Sequence, residues 1–392
     1  MKTGFVGIIG SGLMGRDPFD RRSWSTSSYY FFTELQKRAS LARAIGVEVP
    51  WITRYAYMAR NFHPDREAWR MSFYNDTGYR DALTREVARR LVAEDFSERS
   101  FLQIGAMYDV PALARNRCPC YSYHDGNLAE TLRSPYAPKG LTSIATDLAL
   151  EYERKVYLGM TRIFAMSDYL RHSFIDDFGV PEGRVSAVGA GINLEAVPEP
   201  EPDRRYDVPE VLFIGVDFPR KGGWELLKAF RVVREKVAGA TLHIVGPAHL
   251  IIPSGLDSGV VVHGYLGKTD PNDQILLKDL FTRCCLFVMP SLYEPFGIAP
   301  LEAMAHQLPC LVTNGWALKE MVTPGETGEL VTCGSVEDLA SKMISLLKDP
   351  EKLKSMGEAG RARVLEEYTW DRVVDRILLE TAADTHLIRR AS

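Results

Sequence analysis

Residues 285–305 read CLFVMPSLYEPFGIAPLEAMA, and this stretch is the best guide to the fold. Its apolar first part is typical of a buried β-strand that ends at Pro290, and a short polar loop carrying Glu294 follows. A helix is predicted to begin near Pro300, since proline suits the first turn of a helix, and Glu302 then lies in that turn. Strand, loop and helix in this order form the repeating unit of a parallel α/β sheet.

The same alternation runs along the chain in two series, and each series predicts one Rossmann-like α/β domain whose parallel sheet is covered by helices. Helices are expected between the strands, among them Tyr29–Ala44 and Tyr79–Glu94. The predicted strands are Gly4–Gly10, Val47–Ile52, Phe101–Gly105, Cys120–His124, Arg162–Ser167 and Arg184–Val188 in the first half, and Val211–Gly215, Thr241–Gly246, Val260–Tyr265, Cys285–Pro290, Pro309–Asn314 and Gly328–Val331 in the second.

A proline-rich acidic segment, PEPEPD at residues 198–203, separates the two series and cannot hold regular structure. We therefore expect a first domain over residues 1–195, a linker over 196–205 and a second domain over 206–368. The two sheets are expected to face each other across a cleft at the carboxyl ends of their strands, because open α/β sheets bind ligands at that edge.

The composition excludes several classes of protein. The 392 residues carry a net charge of −4, which provides no basic surface of the kind that nucleic acid requires. The six cysteines show no pairs at zinc spacing, so no metal site is expected from them. No run approaches the ~20 apolar residues of a transmembrane segment, and the apolar start is too short for a signal peptide. These features favour a cytoplasmic protein.

The junction between the loop and the helix offers groups that suit a nucleotide. The backbone amides of Phe296, Gly297 and Ile298 are predicted to point out of the helix start, where they attract an anion. A carboxylate such as Glu302 can accept hydrogen bonds from both hydroxyls of a ribose. The alternative is that Glu302 only complements the helix dipole and that Glu294 is solvated.

The whole string resembles the signature of the family-four retaining glycosyltransferases, the glycosyl transferases of group 1, which have the GT-B fold of two Rossmann-like domains. In that family the residue aligned with Glu302 holds the donor ribose, and the residue aligned with Glu294 holds the transferred sugar. The resemblance covers most of residues 140–375, and it implies a last helix over 369–392 that crosses back to the first domain. The motif is matched at Glu294, Pro295, Phe296, Gly297, Glu302, Ala303, Met304 and Ala305.

Arg220 and Lys221 form a second predicted part of the donor site, in the turn before a helix from Trp224. Two cations at the positive end of a helix are unfavourable by roughly 0.3–1 kcal/mol each, and a bound diphosphate removes this conflict. The chain departs here from the common family pattern, because Val216 stands where relatives have an arginine. Arg220 is expected to supply that cation. The alternative is two exposed charges in a turn.

His124 ends a predicted strand, which places it at the carboxyl edge of the first sheet and facing the cleft. It resembles the histidine that relatives place beside the transferred sugar. His124, Glu294, Arg220 and Lys221 are therefore the candidate catalytic residues. The alternative for His124 is a structural role in the core.

The N-terminal segment GSGLMG, residues 10–15, matches the G-x-G-x-x-G pattern of dinucleotide-binding folds. That function requires a helix to begin at this loop and an acid to follow the second strand. Instead Pro18 follows, and the first helix is predicted only near Ser27. An NAD-dependent oxidoreductase is kept as the alternative. As a glycine loop across the cleft, the segment is expected to bring Gly12 close to the donor phosphates, with acceptor contacts from Arg22, Ser23 and Trp24.

The resemblance implies transfer of a sugar from a UDP- or GDP-sugar to a hydroxyl of a small-molecule, glycan or lipid acceptor, with retention at the anomeric carbon. The sequence has no Asp-x-Asp pair to hold a divalent ion, so neither a metal nor another cofactor is expected. The resemblance further implies that the departing phosphate accepts the acceptor's proton on one face of the sugar, while the protein stabilises the diphosphate. A sugar-nucleotide epimerase and a non-catalytic binding protein of the same fold are further alternatives.

Overall fold

The computed structural model describes residues 5–10, 17–92, 100–115, 117–137 and 139–391. The chain divides into two compact units. Unit 1 comprises Met1–Gly191 and Trp370–Ser392, and unit 2 comprises Ile192–Thr369. Each unit contains one sheet of six parallel strands with helices around it, as the two series of apolar runs predict.

Unit 1 is built on the strand order β2-β1-β3-β4-β5-β6. Its core is rich in large aromatic side chains, which pack between the sheet and the helices. The strands are β1 (Phe5–Gly10), β2 (Leu41–Val47), β3 (Ser100–Ile104), β4 (Cys120–His124), β5 (Arg162–Ala165) and β6 (Val185–Ala187). The helices are α1 (Ser27–Lys37), α2 (Trp51–Arg60), α3 (Arg66–Asn75), α4 (Thr77–Arg90), α5 (Val110–Ala114), α6 (Leu128–Arg133), α7 (Ser143–Gly159) and α8 (Asp168–Asp176).

Two predicted elements of unit 1 are wrong. The helix expected over Tyr29–Ala44 ends at Lys37, because the chain turns at Ala39, which has a φ of 51°. Residues 41–47 instead form β2, paired with β1. The strand expected over Val47–Ile52 is interrupted by Pro50, which lacks an N–H and leads directly into helix α2 at Trp51. Val47 therefore ends β2, whereas Trp51 and Ile52 belong to a helix.

The last helix, α15 (Trp370–Ala391), belongs to unit 1. The Trp370 ring lies 5.7 Å from the ring of Phe31, measured between centroids. A Cβ added to Gly191 would lie 2.4 Å from the Trp370 ring, so only glycine permits this approach. Further along the helix, Arg162 Nη2 lies 2.7 Å from Asp384 Oδ1. The helix is thus held to unit 1 by an aromatic contact at one end and an ion pair near the other.

Unit 2 has the strand order β12-β11-β10-β7-β8-β9, and each strand is within one residue of its predicted bounds. The four inner strands are short apolar runs with mostly buried side chains, which is typical of strands covered on both faces, whereas the two edge strands, residues 260–264 and 328–331, are partly exposed. They are β7 (Glu210–Ile214), β8 (Thr241–Val245), β9 (Val260–Gly264), β10 (Leu286–Met289), β11 (Cys310–Thr313) and β12 (Gly328–Val331). The helices are α9 (Gly223–Lys236), α10 (Pro271–Arg283), α11 (Ile298–Ala305), α12 (Leu318–Met321), α13 (Val336–Leu347) and α14 (Pro350–Glu367).

The strand order of unit 2 reverses between β7 and β10. From β7 the chain moves outward through β8 and β9, and it then returns to place β10 on the other side of β7. The loops that follow β7 and β10 therefore leave in opposite directions and open a space at the carboxyl edge of the sheet. We call residues 215–222 and 290–297 the switch-point loops.

Candidate functional site

The switch-point loops contact each other through their backbones. The Leu292 N–H donates to the carbonyl of Arg220 at 2.8 Å. Gly222 has a φ of 72°, and a Cβ there would lie 2.0 Å from the Pro290 carbonyl oxygen. Glycine is required at this position both for its backbone conformation and for the close approach of the two loops.

Glu294 lies in the second loop and is only 6% exposed. Its carboxylate forms an ion pair with Lys221 Nζ, and Arg220 Nη1 lies 3.6 Å from its Oε2. Arg220 also donates to the Tyr293 carbonyl at 2.8 Å and to Asp217 Oδ2 at 3.0 Å. The two predicted cations thus flank the predicted sugar-binding carboxylate. Asp217 was not expected from the sequence, and its pairing with Arg220 holds that guanidinium beside the loop.

Glu302 lies on α11, 5% exposed, and forms an ion pair with Lys268 Nζ. The same ammonium group donates to the Asn193 carbonyl at 3.3 Å. The prediction that Glu302 lies in the first turn is wrong. Because Gly297, with a φ of 92°, precedes the helix, α11 begins two residues before Pro300 and Glu302 lies in its second turn.

Sequence reasoning missed Lys268, which follows β9 and is still 38% exposed at its side chain. No local pattern marks it, since a lysine in a polar turn is usually solvated. Only the arrangement of β9 beside β8 and β7 brings its loop to the same edge as α11. A buried carboxylate paired with a partly exposed lysine can exchange that partner for the hydroxyl groups of a ligand.

Two helices, α9 and α11, begin at this edge without a side-chain cap. The preceding residues are Gly222 and Gly297, which have no side chain to accept from the first amides. The first amide of α9, that of Gly223, donates to the Phe218 carbonyl at 2.9 Å. The next amides of a helix start without a cap are open to an anion, and the helix dipole favours negative charge there. The Phe296 side chain is buried, so Phe296 can offer a ligand only its backbone, whereas Ile298 is half-buried.

His124 ends β4 as expected, but its side chain does not face open space. The ring is 2% exposed and lies edge-on to Tyr157 and Phe174, at centroid distances of 5.3 and 5.1 Å. Burial lowers the pKa of His124 to about 3, so the ring is neutral. Its Nε2 has no hydrogen-bond partner within the described part of the chain. The expected orientation is corrected to a core position, and a role beside a sugar stays a prediction.

The predicted acceptor residues differ in their accessibility. Trp24 is buried, and its indole N–H donates to Asp125 Oδ2 at 2.9 Å. Ser23 is fully buried, with its hydroxyl donating to the Asp17 carbonyl at 3.0 Å. Both therefore hold their own segment in place, and a contact of either with an acceptor stays a prediction. Arg22 is exposed and pairs with Asp20 at 2.8 Å, so it alone of the three presents its side chain to solvent. Gly12 lies outside the described residues.

The structure does not favour a dinucleotide site at the N-terminus. No helix begins within residues 17–22, and a short 3-10 helix at Ser23–Thr26 leads into α1. An acid does follow the second strand, because β2 ends at Val47 and Glu48 comes next. Glu48 follows the glycine motif at residues 10–15 by far more than the ~20 residues at which dinucleotide folds place their acid. Its Oε1 instead lies 3.9 Å from Arg54 Nη1.

Among the described residues, one group brings together three side chains of metal-binding type, namely Glu210, His243 and Cys284. Arg283 already occupies this group, with Nε 2.8 Å from Glu210 Oε2 and Nη2 3.1 Å from His243 Nε2. Glu210 begins β7 and Cys284 precedes β10, so both are at the amino edge of the sheet. The switch-point loops leave the opposite edge, and this group is therefore no part of the candidate site.

Residues 199–363 match the model of the family described as glycosyl transferases group 1. A curated relative, the MMP alpha-(1->4)-mannosyltransferase of Mycolicibacterium hassiacum, is 29% identical over 57% of this chain and 54% of its own length. The GDP-mannose-dependent alpha-(1-6)-phosphatidylinositol monomannoside mannosyltransferase of Mycobacterium tuberculosis is 28% identical over 57% of this chain and 62% of its own length. The chain thus spans little more than half of the curated relatives that it matches.

Solved structures support the fold over nearly the whole chain. Sucrose-phosphate synthase from Thermosynechococcus elongatus superposes with a TM-score of 0.68 at 16% identity, covering 99% of this chain and all of the other. Anabaena Alr3699/HepE in complex with UDP and glucose gives 0.65 at 16% identity, covering 96% of this chain and all of the other. Both share the two-domain α/β architecture predicted from the sequence. Across the described residues, no helix is long and apolar enough to cross a membrane.

Proposed function

We propose that this chain, which has the GT-B fold and belongs through residues 199–363 to the glycosyl transferases of group 1, transfers a sugar from a nucleoside-diphosphate sugar to an acceptor hydroxyl with retention at the anomeric carbon. The donor is of the UDP or GDP type. No metal takes part, because lysine, arginine and backbone amides supply the positive charge at the diphosphate. The acceptor is a small molecule, a glycan or a lipid.

One observation carries this proposal, namely that two buried carboxylates, each paired with a lysine, lie at one edge of unit 2. Glu294 pairs with Lys221, and Glu302 pairs with Lys268. A donor has anionic phosphates and neutral hydroxyls, so its groups can replace the partners in these ion pairs. Lys221 turns to the phosphates, Lys268 turns toward solvent, and the carboxylates accept hydrogen bonds from the sugar and the ribose. The arrangement satisfies its buried charges without a ligand and matches a donor when one binds.

In the proposed reaction the bonds that change belong to the substrates, and the protein stabilises charge and positions the sugar. The bond between the anomeric carbon and the phosphate oxygen breaks, and the acceptor oxygen forms a bond to the same face of that carbon. The acceptor's proton goes to the departing phosphate oxygen. Lys221, Arg220 and the amides at the starts of α9 and α11 stabilise the charge that grows on the diphosphate. Glu294 positions the sugar for the attack.

A donor screen tests this proposal directly. We expect UDP- or GDP-sugars to raise the melting temperature of the protein, and NADH to leave it unchanged. Tight NADH binding without nucleotide binding would overturn the proposal in favour of an oxidoreductase. Intact donor after long incubation with varied acceptors would indicate a binding protein, and an isomerised donor would indicate an epimerase.

Glu294→Gln is expected to lower turnover roughly 10- to 100-fold, because it removes one charged hydrogen bond to the sugar, while nucleotide affinity changes little. The matched control is Glu329→Gln. It removes a carboxylate from an ion pair elsewhere in unit 2, where Lys352 Nζ lies 3.1 Å from Glu329 Oε1. Product formation is measured with saturating donor. A wild-type rate for Glu294→Gln, or an equal loss in the control, would contradict the assignment.

A further inference from the structure

Helix α2 of unit 1 exposes large apolar side chains to solvent. None of its ten residues is buried. Trp51, Ile52 and Tyr55 are 70%, 64% and 61% exposed, and Phe62, just past the helix, is 68% exposed. At 3.6 residues per turn, the three helical residues fall on one side. Exposed apolar groups gathered in this way mark an interaction surface.

The exposed side of α2 is the apolar side, which is the reverse of an ordinary surface helix. Ala56 and Ala59 are exposed on the same face, and Arg60 is the one charged residue among the exposed residues of the helix. The opposite face is firmly held. The Trp69 indole donates to the Met58 carbonyl at 2.8 Å, and the Tyr57 ring packs on the Tyr79 ring at 5.8 Å. The orientation of the apolar face therefore follows from packing on α3 and α4.

Arginines surround this face. Residues 51–70 contain four arginines and two acids, Asp65 and Glu67. Two of the arginines also lie near acids outside this segment, since Arg54 Nη1 is 3.9 Å from Glu48 Oε1 and Arg60 Nε is 3.7 Å from Asp76 Oδ2. A cavity of about 670 Å³ opens beside the helix, and its lining includes Arg54, Arg66 and Arg70 together with Glu67. This space can receive an anionic group next to the apolar face.

We propose that unit 1 docks on an anionic lipid surface through α2. An exposed apolar stripe with tryptophan and tyrosine, bordered by arginines, is the pattern of a helix that lies in the plane of a membrane interface. Trp51, Ile52 and Tyr55 enter the headgroup region, while the arginine side chains reach the lipid phosphates. A second copy of this chain fits the surface less well, since it would bring the same arginines to face these. The docking goes beyond the proposed transfer and does not depend on it.

Vesicle sedimentation of the whole protein tests this docking. Vesicles of phosphatidylcholine alone are compared with vesicles that contain phosphatidylglycerol in equal parts, and we expect binding to the second kind only. The triple variant Trp51→Gln, Ile52→Gln, Tyr55→Gln is expected to lower the partition coefficient about tenfold or more. These side chains are exposed, so the fold is preserved, and an unchanged circular dichroism spectrum checks this.

A matched control uses two exposed apolar residues of α7, Ile144 and Leu148, which are 74% and 54% exposed. They lie on a helix that carries acids at Asp147 and Glu151, so Ile144→Gln, Leu148→Gln is expected to leave binding unchanged. A charge variant, Arg60→Gln, Arg66→Gln, Arg70→Gln, is expected to lose about fivefold per arginine, with the loss vanishing at high salt.

Three results would overturn the proposal. The first is equal binding to neutral and anionic vesicles, or to neither. The second is an equal loss in the α7 control, which would indicate nonspecific adhesion. The third is a dimer in solution that the α2 triple variant abolishes, which would assign the surface to a second copy. None of these results bears on sugar transfer, because the variants are assayed separately for turnover with a water-soluble acceptor.

Discussion

Replacing Glu302 by glutamine separates two roles of this carboxylate. In the structure Glu302 pairs with Lys268, and in the proposed complex it accepts hydrogen bonds from the two ribose hydroxyls. Glutamine keeps the shape of the side chain and removes its charge. No unpaired buried carboxylate results, and Lys268 is exposed enough to turn toward solvent. We therefore expect folding stability to change by less than about 1 kcal/mol, as for partly exposed ion pairs.

The expected effect on binding is larger. Hydrogen bonds to a charged group contribute about 1.5–3 kcal/mol each, whereas neutral ones contribute about 1 kcal/mol. Replacing two charged bonds by one neutral bond thus costs roughly 2–5 kcal/mol, or about 30- to 4,000-fold in affinity. The loss should appear equally for UDP or GDP and for the intact donor, because the contact is to the ribose. Turnover at saturating donor should change much less.

Calorimetric titration of the nucleoside diphosphate measures this loss, and Lys268→Ala supplies the second arm. If Glu302 serves only to hold Lys268, the two variants weaken binding equally. If Glu302 holds the ribose, Lys268→Ala leaves the affinity unchanged or raises it, since no ammonium group then competes for the carboxylate. Wild-type affinity in Glu302→Gln, or equal losses in both variants, would refute the reasoning.

Two further predictions concern stability. Gly222→Ala is expected to lower the free energy of unfolding by about 2–4 kcal/mol, because φ at this position is 72° and the added Cβ meets the Pro290 carbonyl. Gly239 has a similar φ of 77° but open space around it, so Gly239→Ala should lower the free energy by only about 1 kcal/mol. Equal losses in urea unfolding would contradict this difference. Burial lowers the pKa values of His124 and His306 to about 3, from 6.5. The contribution of each neutral histidine to the free energy of unfolding is therefore complete above pH 6.5. It falls by up to about 1.4 kcal/mol per pH unit between pH 6.5 and 3, because the unfolded chain takes up a proton that the folded protein does not. His306→Phe should flatten this slope in acid unfolding, and an unchanged slope would argue against the neutral histidine.

The second sheet and the carboxylates at its edge were predictable because their signals are local. Each strand of unit 2 is an apolar run between turn residues, and the segment from Glu294 to Glu302 combines a strand end, a loop and a helix start in a few residues. The helix start itself was misplaced by two residues. Proline at 300 suits a first turn generally, and only the backbone at Gly297 determines where that turn begins.

The errors in unit 1 arise where hydrophobicity does not report burial. Residues 41–47, LARAIGV, continue the helical composition of α1, and only their pairing with β1 makes them a strand. Trp51 and Ile52 fall in the buried strand predicted over Val47–Ile52, yet they lie on the exposed face of α2. The partners of Trp24 and Glu302, namely Asp125 and Lys268, are distant in sequence. No pattern along the chain records such pairings, because they follow from the order of strands.

The attachment of α15 to unit 1 has a consequence for synthesis on the ribosome. Phe31 is translated early, but its partner Trp370 follows only after all of unit 2 has emerged. At ~5–20 residues per second, this delay is on the order of ten seconds or more. Unit 2 is one continuous segment and can complete its fold during that interval, so the unit whose translation starts first is the last to be finished. A nascent chain halted before Trp370 therefore presents an uncovered aromatic surface in unit 1, the kind of surface that chaperones recognise.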